Sequence, residues 1–570
     1  MIPNSPTEIQ SVTSGAERTM EGISTRLVSG LINLWCATGP WSSSVTPLFF
    51  VTLIVICASC AFIGAVPTFV YGHDDFFLLE NGWRALNGLR PHIDFWSPWG
   101  PLTFLVTALG LRLSHASANG IAYGNSIFAL LVGLWTYRVS RDRLQQTPRA
   151  LVALYASALA CAPYPVGMAP MALSHAMTYN RYGYALLVPL LVECVQRRDK
   201  TATDAEEWLG GISTGAAVAL ALFLKASYFI VGLGFLVASL LFWIPGVRRF
   251  FGVLAGFSVV TFLGLAYLRF NLAAMLRGLH MAAGARAQSF SLITPVYNVA
   301  MHLVPLYCVL GLTIVATFMK PRCADVSKQS YLPVAAIIVY FADIALLSTN
   351  AQSAGLPLLG AFAIIVANQV ADAKKNSPSS AQLFTLPYYA SVLLISGLLF
   401  LPQFTSDIVA LPIAAARKIH PPPGCATRFT ETGVSDLMLC DRPDGDPAQR
   451  WSNGSNYTAY VDDGVALLRT CCKPTDKVLV MDMQNPFPYV LRWVPPRGGL
   501  AATAFNYTLS DRFRPSIDEY FGDATVVMIP KHPAFLRQHS EGFYKIYGPA
   551  VEERFRLIAE SDWFWLYKRQ

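Results

Sequence analysis

The chain has 570 residues, of which 54% are hydrophobic and only 14% charged, and its formal net charge is +8. A charged share so far below the ~25% of ordinary soluble domains excludes a single soluble globular unit. The basic excess does not call for nucleic acid, because many of the Lys and Arg residues lie in short connections between long apolar runs, where the positive-inside rule places them.

From the N-terminus, Ile23, Leu27, Leu31 and Trp35 recur four apart and predict a helix lying on the cytoplasmic membrane surface. The first long apolar run, 45–71, starts too late and is too long for a cleavable signal core, so it reads as a signal anchor. Further apolar runs follow at 121–137, 150–170, 182–196, 208–224, 226–244, 250–269, 292–318, 331–349, 355–371 and 384–402. Since a crossing needs about 20 apolar residues, the runs predict about eleven membrane-spanning helices.

Basic clusters occupy every second connection: Arg138, Arg141, Arg143 and Arg149; Arg197, Arg198 and Lys200; Arg248 and Arg249; Lys320, Arg322 and Lys328; Lys374 and Lys375. Placing them all in the cytoplasm gives one topology, with the N-terminus inside and the C-terminal segment outside. Residues 98–116 are apolar enough to tempt a crossing, but a crossing there would turn every later basic loop outward. They are therefore read as lying in the outer interface, with Arg112 and His115 reaching water. The runs on either side of Lys225 form a tight hairpin with its tip at the outer face.

After residue 402 the composition changes. Pro421, Pro422, Pro423 and Gly424 mark a linker, and strand-like runs follow at 477–481, 524–529 and 563–567. A helix is expected over 550–558, with Pro549 at its start. The expected organisation is a cytoplasmic segment 1–44, a transmembrane domain 45–402 containing a large first outer loop 72–120, and an extracytoplasmic α/β domain 403–570. The fold class is an all-α polytopic membrane protein with a small C-terminal α/β domain. Of the 11 cysteines, Cys425, Cys440, Cys471 and Cys472 fall in that domain, where an oxidising compartment favours disulfides. Cys471 and Cys472 are adjacent and fit disulfide geometry poorly with each other. Cys425 or Cys440 is expected to bond one of them, or each other.

The outer loops hold the chemistry. The first begins, with Tyr71 included, YGHDDFFLLENGWRALNGLRPHIDFWSPWGPL. Asp74 and Asp75 are placed where the first helix leaves the membrane, and Asp94 follows a short helical piece and a turn. A carboxylate at the membrane surface can take a proton from an acceptor hydroxyl or hold a divalent cation against phosphate. Acid pairs at helix ends are also common in ordinary solvated loops.

The Asp74–Asp75 pair, followed by Gly88-Leu-Arg-Pro-His-Ile-Asp94-Phe95 and Pro98-Trp-Gly-Pro-Leu102, resembles the polytopic GT-C glycosyltransferases, the class of the protein O-mannosyltransferases and the aminoarabinose–lipid A transferases. The resemblance is close over the first loop and loose over the helix-plus-outer-domain plan. It implies a catalytic acid in the first outer loop, matched here by Asp74 and Asp75, and a polyprenyl-phosphate sugar donor. Asp94 matches a recurring G-x-x-P-x-x-D-F feature, and His92 stands where many relatives have an aromatic residue.

Further candidates lie at the same outer level. Arg181, in Thr178-Tyr-Asn-Arg-Tyr182, can hold phosphate bidentately or simply anchor at the interface. Lys225 is a lone cation between two apolar runs, which favours phosphate binding over snorkelling. Asp343 is seven residues before Asn350, about 10 Å below the outer end at 1.5 Å per residue. It is positioned to pair with Lys225 or Arg181, or to meet a sugar hydroxyl. Asn350 and Gln352 can hydrogen-bond sugar. Arg277, His280 and Arg286 suit one basic face of an interfacial helix, and Glu193 with Arg197 reads as a structural helix pair.

The sequence therefore predicts a glycosyltransferase of the cytoplasmic membrane, moving a sugar from a polyprenyl-phosphate donor to a glycan, lipid or protein acceptor at the outer face, with no nucleic-acid partner and in contact with membrane lipids. Asp74, Asp75 and Asp94 are the expected catalytic acids, with Asp74 and Asp75 the ligands of any divalent metal. Arg181, Lys225, Asp343, Asn350 and Gln352 are the expected donor-binding residues. The alternatives are a transporter or flippase of lipid-linked sugars, against which the lack of an internal repeat and the one-sided charges count, and a non-catalytic envelope assembly protein.

Overall fold

The computed structural model describes residues 42–570 apart from 197–202, 243–244, 290, 292, 319–330, 351, 353, 376–381, 426–428, 430–433, 442–453 and 535–536. The surface helix expected over 23–35 and the basic loops at 197–200 and 320–328 lie outside the described residues.

Each expected apolar run contains a helix: α1 (Ser42–Ile63), and, after the short helices α2 (Gly72–Leu86) and α3 (Pro101–Leu113), α4 (Gly120–Val139), α5 (Gln146–Cys161), α6 (Thr178–Val195), α7 (Asp204–Leu224), α8 (Ala226–Phe242) and α9 (Val247–Tyr267). Then come α10 (Leu272–Ser289), α11 (Ile293–Met301), α12 (Leu303–Phe318), α13 (Leu332–Thr349), α14 (Pro357–Lys375) and α15 (Gln382–Ile419). The chain is thus a multi-pass helical membrane protein. By length and composition 5 of the described helices can cross a bilayer, or 6 if α11 and α12, bent by 73° to one another, make one crossing. The other helices at expected runs fall short of that test. Helix α6 shows why: every residue from Thr178 to Val195 is buried, so it is enclosed by protein rather than lipid and tolerates Arg181 and Glu193. Helix α3, in the segment read as interfacial, has 13 residues. That is about 20 Å, short of the ~30 Å hydrocarbon core.

Two boundaries differ from expectation. The first apolar run stops being helical at Ile63, where Gly64 adopts φ +67° and a Cβ would lie 2.0 Å from the Asn119 side chain. The remainder forms strand β1 (Pro67–Thr68), which pairs in parallel with β2 (Met438–Leu439) of the C-terminal segment. The expected boundary at 402/403 falls inside α15, whose 38 residues span about 57 Å and project past the membrane core. Near its C-terminal end Arg417 donates to the Met171 carbonyl at 2.8 Å and Lys418 to that of Ile63.

The C-terminal segment supplies α16 (Gly454–Cys471), β3 (Val478–Val480), α17 (Phe487–Leu491), α18 (Ile517–Phe521), β4 (Val526–Pro530), α19 (Arg537–Arg554), β5 (Phe555–Glu560) and β6 (Phe564–Arg569). The main sheet has the order β3-β4-β6-β5, with β3 and β4 parallel and the rest antiparallel. The strand-like runs of the sequence therefore become β3, β4 and β6. The helix expected over 550–558 is corrected. Pro549 lies inside α19, and 555–560 form β5, because that stretch gains a hairpin partner in β6. Val526, Met528, Phe564 and Leu566 point to one face and pack with Tyr457, Tyr460 and Val461 of α16, while Val527 and Ile529 face Phe543, Tyr547 and Val551 of α19. This is the period-2 alternation of a sheet covered on both sides.

Cys425 and Cys440 are joined by a disulfide, while Cys471 and Cys472 are free. Alkylation of protein taken from its native membrane, without reduction, should label the Cys471–Cys472 peptide and spare Cys425 and Cys440. Labelling of all of them would contradict the bond.

Candidate functional site

Asp74 and Asp75 occupy the first turn of α2, a helix separate from α1, so they do not cap the first crossing. Tyr71 precedes the helix with φ 54°, in the left-handed region. A bulky residue there is uncommon, and such conformations gather at functional sites. The aspartates divide their roles by exposure. Asp75 is fully buried: its Oδ2 accepts from the Thr68 hydroxyl at 2.5 Å and its Oδ1 from the His175 amide at 3.2 Å. Asp74 keeps 14% of its side chain exposed and lies 3.5 Å from Nε2 of His73. Burial holds His73 at about 3, so the imidazole is neutral and this contact is not an ion pair at pH 7.

Burial, then repulsion from Asp75, raises Asp74 to about 7. Burial raises Asp75 to about 7 as well, against the lowering effect of its two hydrogen bonds. Both carboxylates are therefore held well above the usual carboxylate range. The amino end of α2 favours negative charge there.

Across from this pair, Tyr179 lies within electrostatic reach of both Asp74 and Arg286. Its ring stands 5.3 Å from Trp99 and 6.0 Å from Phe77. On it rests Lys225, its Nζ 4.9 Å from the ring centroid. Lys225 sits at the break between α7 and α8, as the hairpin predicted, and donates to Asn350 Oδ1 at 2.5 Å and Asn180 Oδ1 at 3.5 Å. Asn350 donates in turn to the Tyr228 hydroxyl at 3.0 Å, and Gln352 to that of Tyr184 at 3.0 Å. Arg286, on α10, exerts its charge on Lys225 and lies over the Tyr507 ring at 4.4 Å. Lys225 thus touches the Tyr179 ring, and Asp74 and Arg286 both act on that tyrosine through their charge. Asp74, Asp75, Lys225, Asn350 and Gln352 belong to this constellation or its border.

Three expected site residues are placed elsewhere. Arg181 is 1% exposed, pairs with the fully buried Asp407 of α15 at 3.0 Å and donates to the carbonyls of Tyr164 and Leu159. It ties α6 to α15 inside the bundle and is not presented to a phosphate. Asp343 does not pair with Lys225 or Arg181; it is fully buried and accepts from the amides of Leu358 and Leu359, capping the start of α14. Asp94 closes its own turn through the Arg90 amide at 2.8 Å and faces Arg497 at 3.6 Å. The expected Glu193 partner, Arg197, lies outside the described residues; the buried Glu193 carboxylate meets Arg249 of α9 at 3.0 Å.

The residues do not fit the expected divalent ion. Asp75 has no exposed surface and both its oxygens are engaged, leaving Asp74 as the one accessible carboxylate, and hard divalent cations take several oxygen ligands. Among the described residues no group of three or more His, Cys, Asp or Glu side chains is arranged to hold a metal.

The sequence also gave no sign that the C-terminal domain completes the first loop. Asn81 donates to the Ala501 carbonyl at 2.9 Å, Trp83 to that of Trp493 at 2.9 Å and Arg84 to that of Gly498 at 3.3 Å. Glu80, raised by burial to about 7, accepts from the Tyr489 amide. Tyr457 of α16 packs on Phe76, one residue beyond the aspartate pair.

Fold and site together define a polytopic helical membrane protein with an acid–cation site on the face that carries its α/β domain. No family profile matches the chain, and no curated protein matches it. Among solved structures it is similar to ArnT from Cupriavidus metallidurans in the apo state (13% identity, TM-score 0.39, covering 92% of this chain and 98% of that one). It is also similar to the same protein bound to undecaprenyl phosphate (12%, 0.34, 93% and 98%). A third likeness is to the Archaeoglobus fulgidus oligosaccharyltransferase in complex with Zn and sulfate (12%, 0.33, 84% and 68%). The reading of the site rests on its own geometry.

Proposed function

We propose that the chain is a glycosyltransferase that moves a sugar from a polyprenyl-phosphate donor to an envelope acceptor at the outer face of the cytoplasmic membrane, the side on which the C-terminal domain lies. The observation that carries this reading is that Lys225 rests on the Tyr179 ring while Asp74 and Arg286 both act on that tyrosine through their charge. A base held near pH 7 suits proton removal from a hydroxyl, and fixed cations suit a leaving phosphate.

In the transfer, the acceptor oxygen forms a bond to the anomeric carbon as the bond from that carbon to the phosphate oxygen breaks. The acceptor proton passes to the Asp74 carboxylate. The polyprenyl phosphate leaves with the bonding electrons, and Lys225 and Arg286 stabilise the charge that grows on it. Asp75 touches no reactant; it raises Asp74 and, through Thr68 and His175, fixes the first turn of α2. No step runs through a metal.

The experiment is to reconstitute the purified chain in liposomes with polyprenyl-phosphate sugars and follow release of free polyprenyl phosphate. Release that depends on both the protein and an acceptor is expected. Its absence with every donor, alongside protein-dependent movement of donor between leaflets, would favour a flippase.

A further inference from the structure

We propose that the acceptor is a glycan of at least two sugars, and that Asn81 and Gln484 hold the second of them where α2 meets the C-terminal domain. This rests on the function proposed above and adds the class of acceptor. Asn81 follows Asp74 by seven residues, which on a helix returns it to the same face about 10 Å farther along. Its Nδ2 donates to the carbonyls of Phe77 at 2.8 Å and Ala501 at 2.9 Å, which fixes the way the amide points. The Oδ1 acceptor is left without a partner, although Asn81 is only 1% exposed. Gln484, just after β3, is 4% exposed, and its Nε2 donor has no partner. One short segment joins the two: Asn81 holds Ala501, and the Thr503 amide donates to the carbonyl of Met483, next to Gln484, at 2.9 Å. Buried amide atoms left unmet carry a desolvation penalty. A hydroxyl both donates and accepts, so sugar hydroxyls can relieve it at either residue.

The lining between Asp74 and Asn81 favours a sugar over a phospholipid or a peptide. Phe77 lies between them on the same face of α2, and the half-buried Trp99 ring rests on it at 4.7 Å. The negative face of an indole suits the C–H face of a pyranose. The charged residues of α2 beyond the aspartates, Glu80 and Arg84, are buried and paired with each other at 3.1 Å, so neither is open to a phosphate headgroup. Backbone groups that an extended peptide would need are already used: Trp96 donates to the Gly499 carbonyl at 3.0 Å and Ala501 to that of Trp96 at 2.7 Å. A span of about 10 Å along α2 exceeds one pyranose ring. The sugar that meets Asn81 is therefore the one after the sugar whose hydroxyl faces Asp74.

The test uses the full chain in liposomes with undecaprenyl-phosphate hexose as donor. The acceptors are methyl glycosides of one hexose and of two, a peptide rich in Ser and Thr, and phosphatidylglycerol. The two-hexose glycoside is expected to be used with a kcat/KM about tenfold or more above the one-hexose glycoside, and above the peptide and the lipid. Gln484→Met removes the unmet donor from a side chain of similar size, and Asn81→Ala removes the unmet acceptor. Each is expected to cut the advantage of two hexoses over one to about threefold or less. Because that advantage is a ratio within one sample, a loss of folded protein lowers both rates and leaves it unchanged. If Asn81→Ala is inactive with both glycosides, Gln484→Met decides. Equal use of the one- and two-hexose glycosides, a peptide or lipid used better than both, or an advantage that survives either substitution overturns the inference and leaves the proposed function standing. Failure of the wild-type chain to release polyprenyl phosphate with any of these acceptors removes the function and this inference together.

Discussion

Replacing Asp74 with Asn is expected to lower the transfer rate roughly 10²–10⁴-fold, the usual effect of removing a general base, while the protein still inserts and still binds donor. Asn has nearly the same size and keeps the hydrogen-bonding edge, but it cannot take a proton. Asp75→Asn should behave differently. Its amide can still accept from His175 and turn its NH₂ toward the Thr68 oxygen, so the turn is kept, but the negative neighbour that raises Asp74 is gone. Asp74 then falls by the share that repulsion contributed, while burial still holds it above the ordinary carboxylate range, and the variant should retain part of its activity with a weaker base. Stability should move the other way. A carboxylate raised on folding binds its proton more tightly in the folded state, so its contribution to stability declines as pH rises from the ordinary carboxylate value, 3.8, to about 7. At neutral pH Asp75→Asn therefore relieves repulsion and is expected to leave the fold intact. Rates for both variants, measured with thermal unfolding on the same samples, separate these effects.

The second large effect is a contrast between two cations that the sequence places alike. Lys225→Ala should weaken donor binding as well as rate, because phosphate is charged in the ground state as well as in the transition state, and it should leave the bundle folded. Arg181→Ala should strand the buried Asp407 carboxylate, and breaking a buried pair from one side destabilises by roughly 3–5 kcal/mol. Donor titration and thermal unfolding of both variants decide the matter. Arg181→Ala protein of normal stability with lost donor affinity would return Arg181 to the site.

Much of this was legible in the chain because bilayers impose strong rules. Apolar runs and alternating basic loops located the helices, and the lone Lys225 marked the hairpin tip where it is found. The Asp74–Asp75 pair was legible through residue type and its resemblance to a known loop. What was not legible depends on contacts between distant segments. Arg181 and Lys225 read alike as surface cations, and only the buried ion pair across to α15 shows that Asp407 claims the first. Asp343 looked like an intramembrane acid in need of a role; the tight turn into α14 supplies one through two backbone amides. Arg286 was visible only as one member of a basic helix face, since nothing local says that α10 carries it toward Tyr179 and Lys225. The break at Gly64 was hidden because residues 65–70 remain apolar while serving as strand and loop.

The measurement that bears most directly on Asp74 as the base is the pH dependence of kcat/KM for the wild type beside Asp75→Asn. Below its pKa Asp74 is protonated and cannot accept, so the wild-type rate should climb through about pH 7 as the carboxylate forms. In Asp75→Asn the same limb should move to lower pH, because the repulsion that raised it is absent. A wild-type profile flat across that range, or a limb that stays in place in Asp75→Asn, would contradict the assignment.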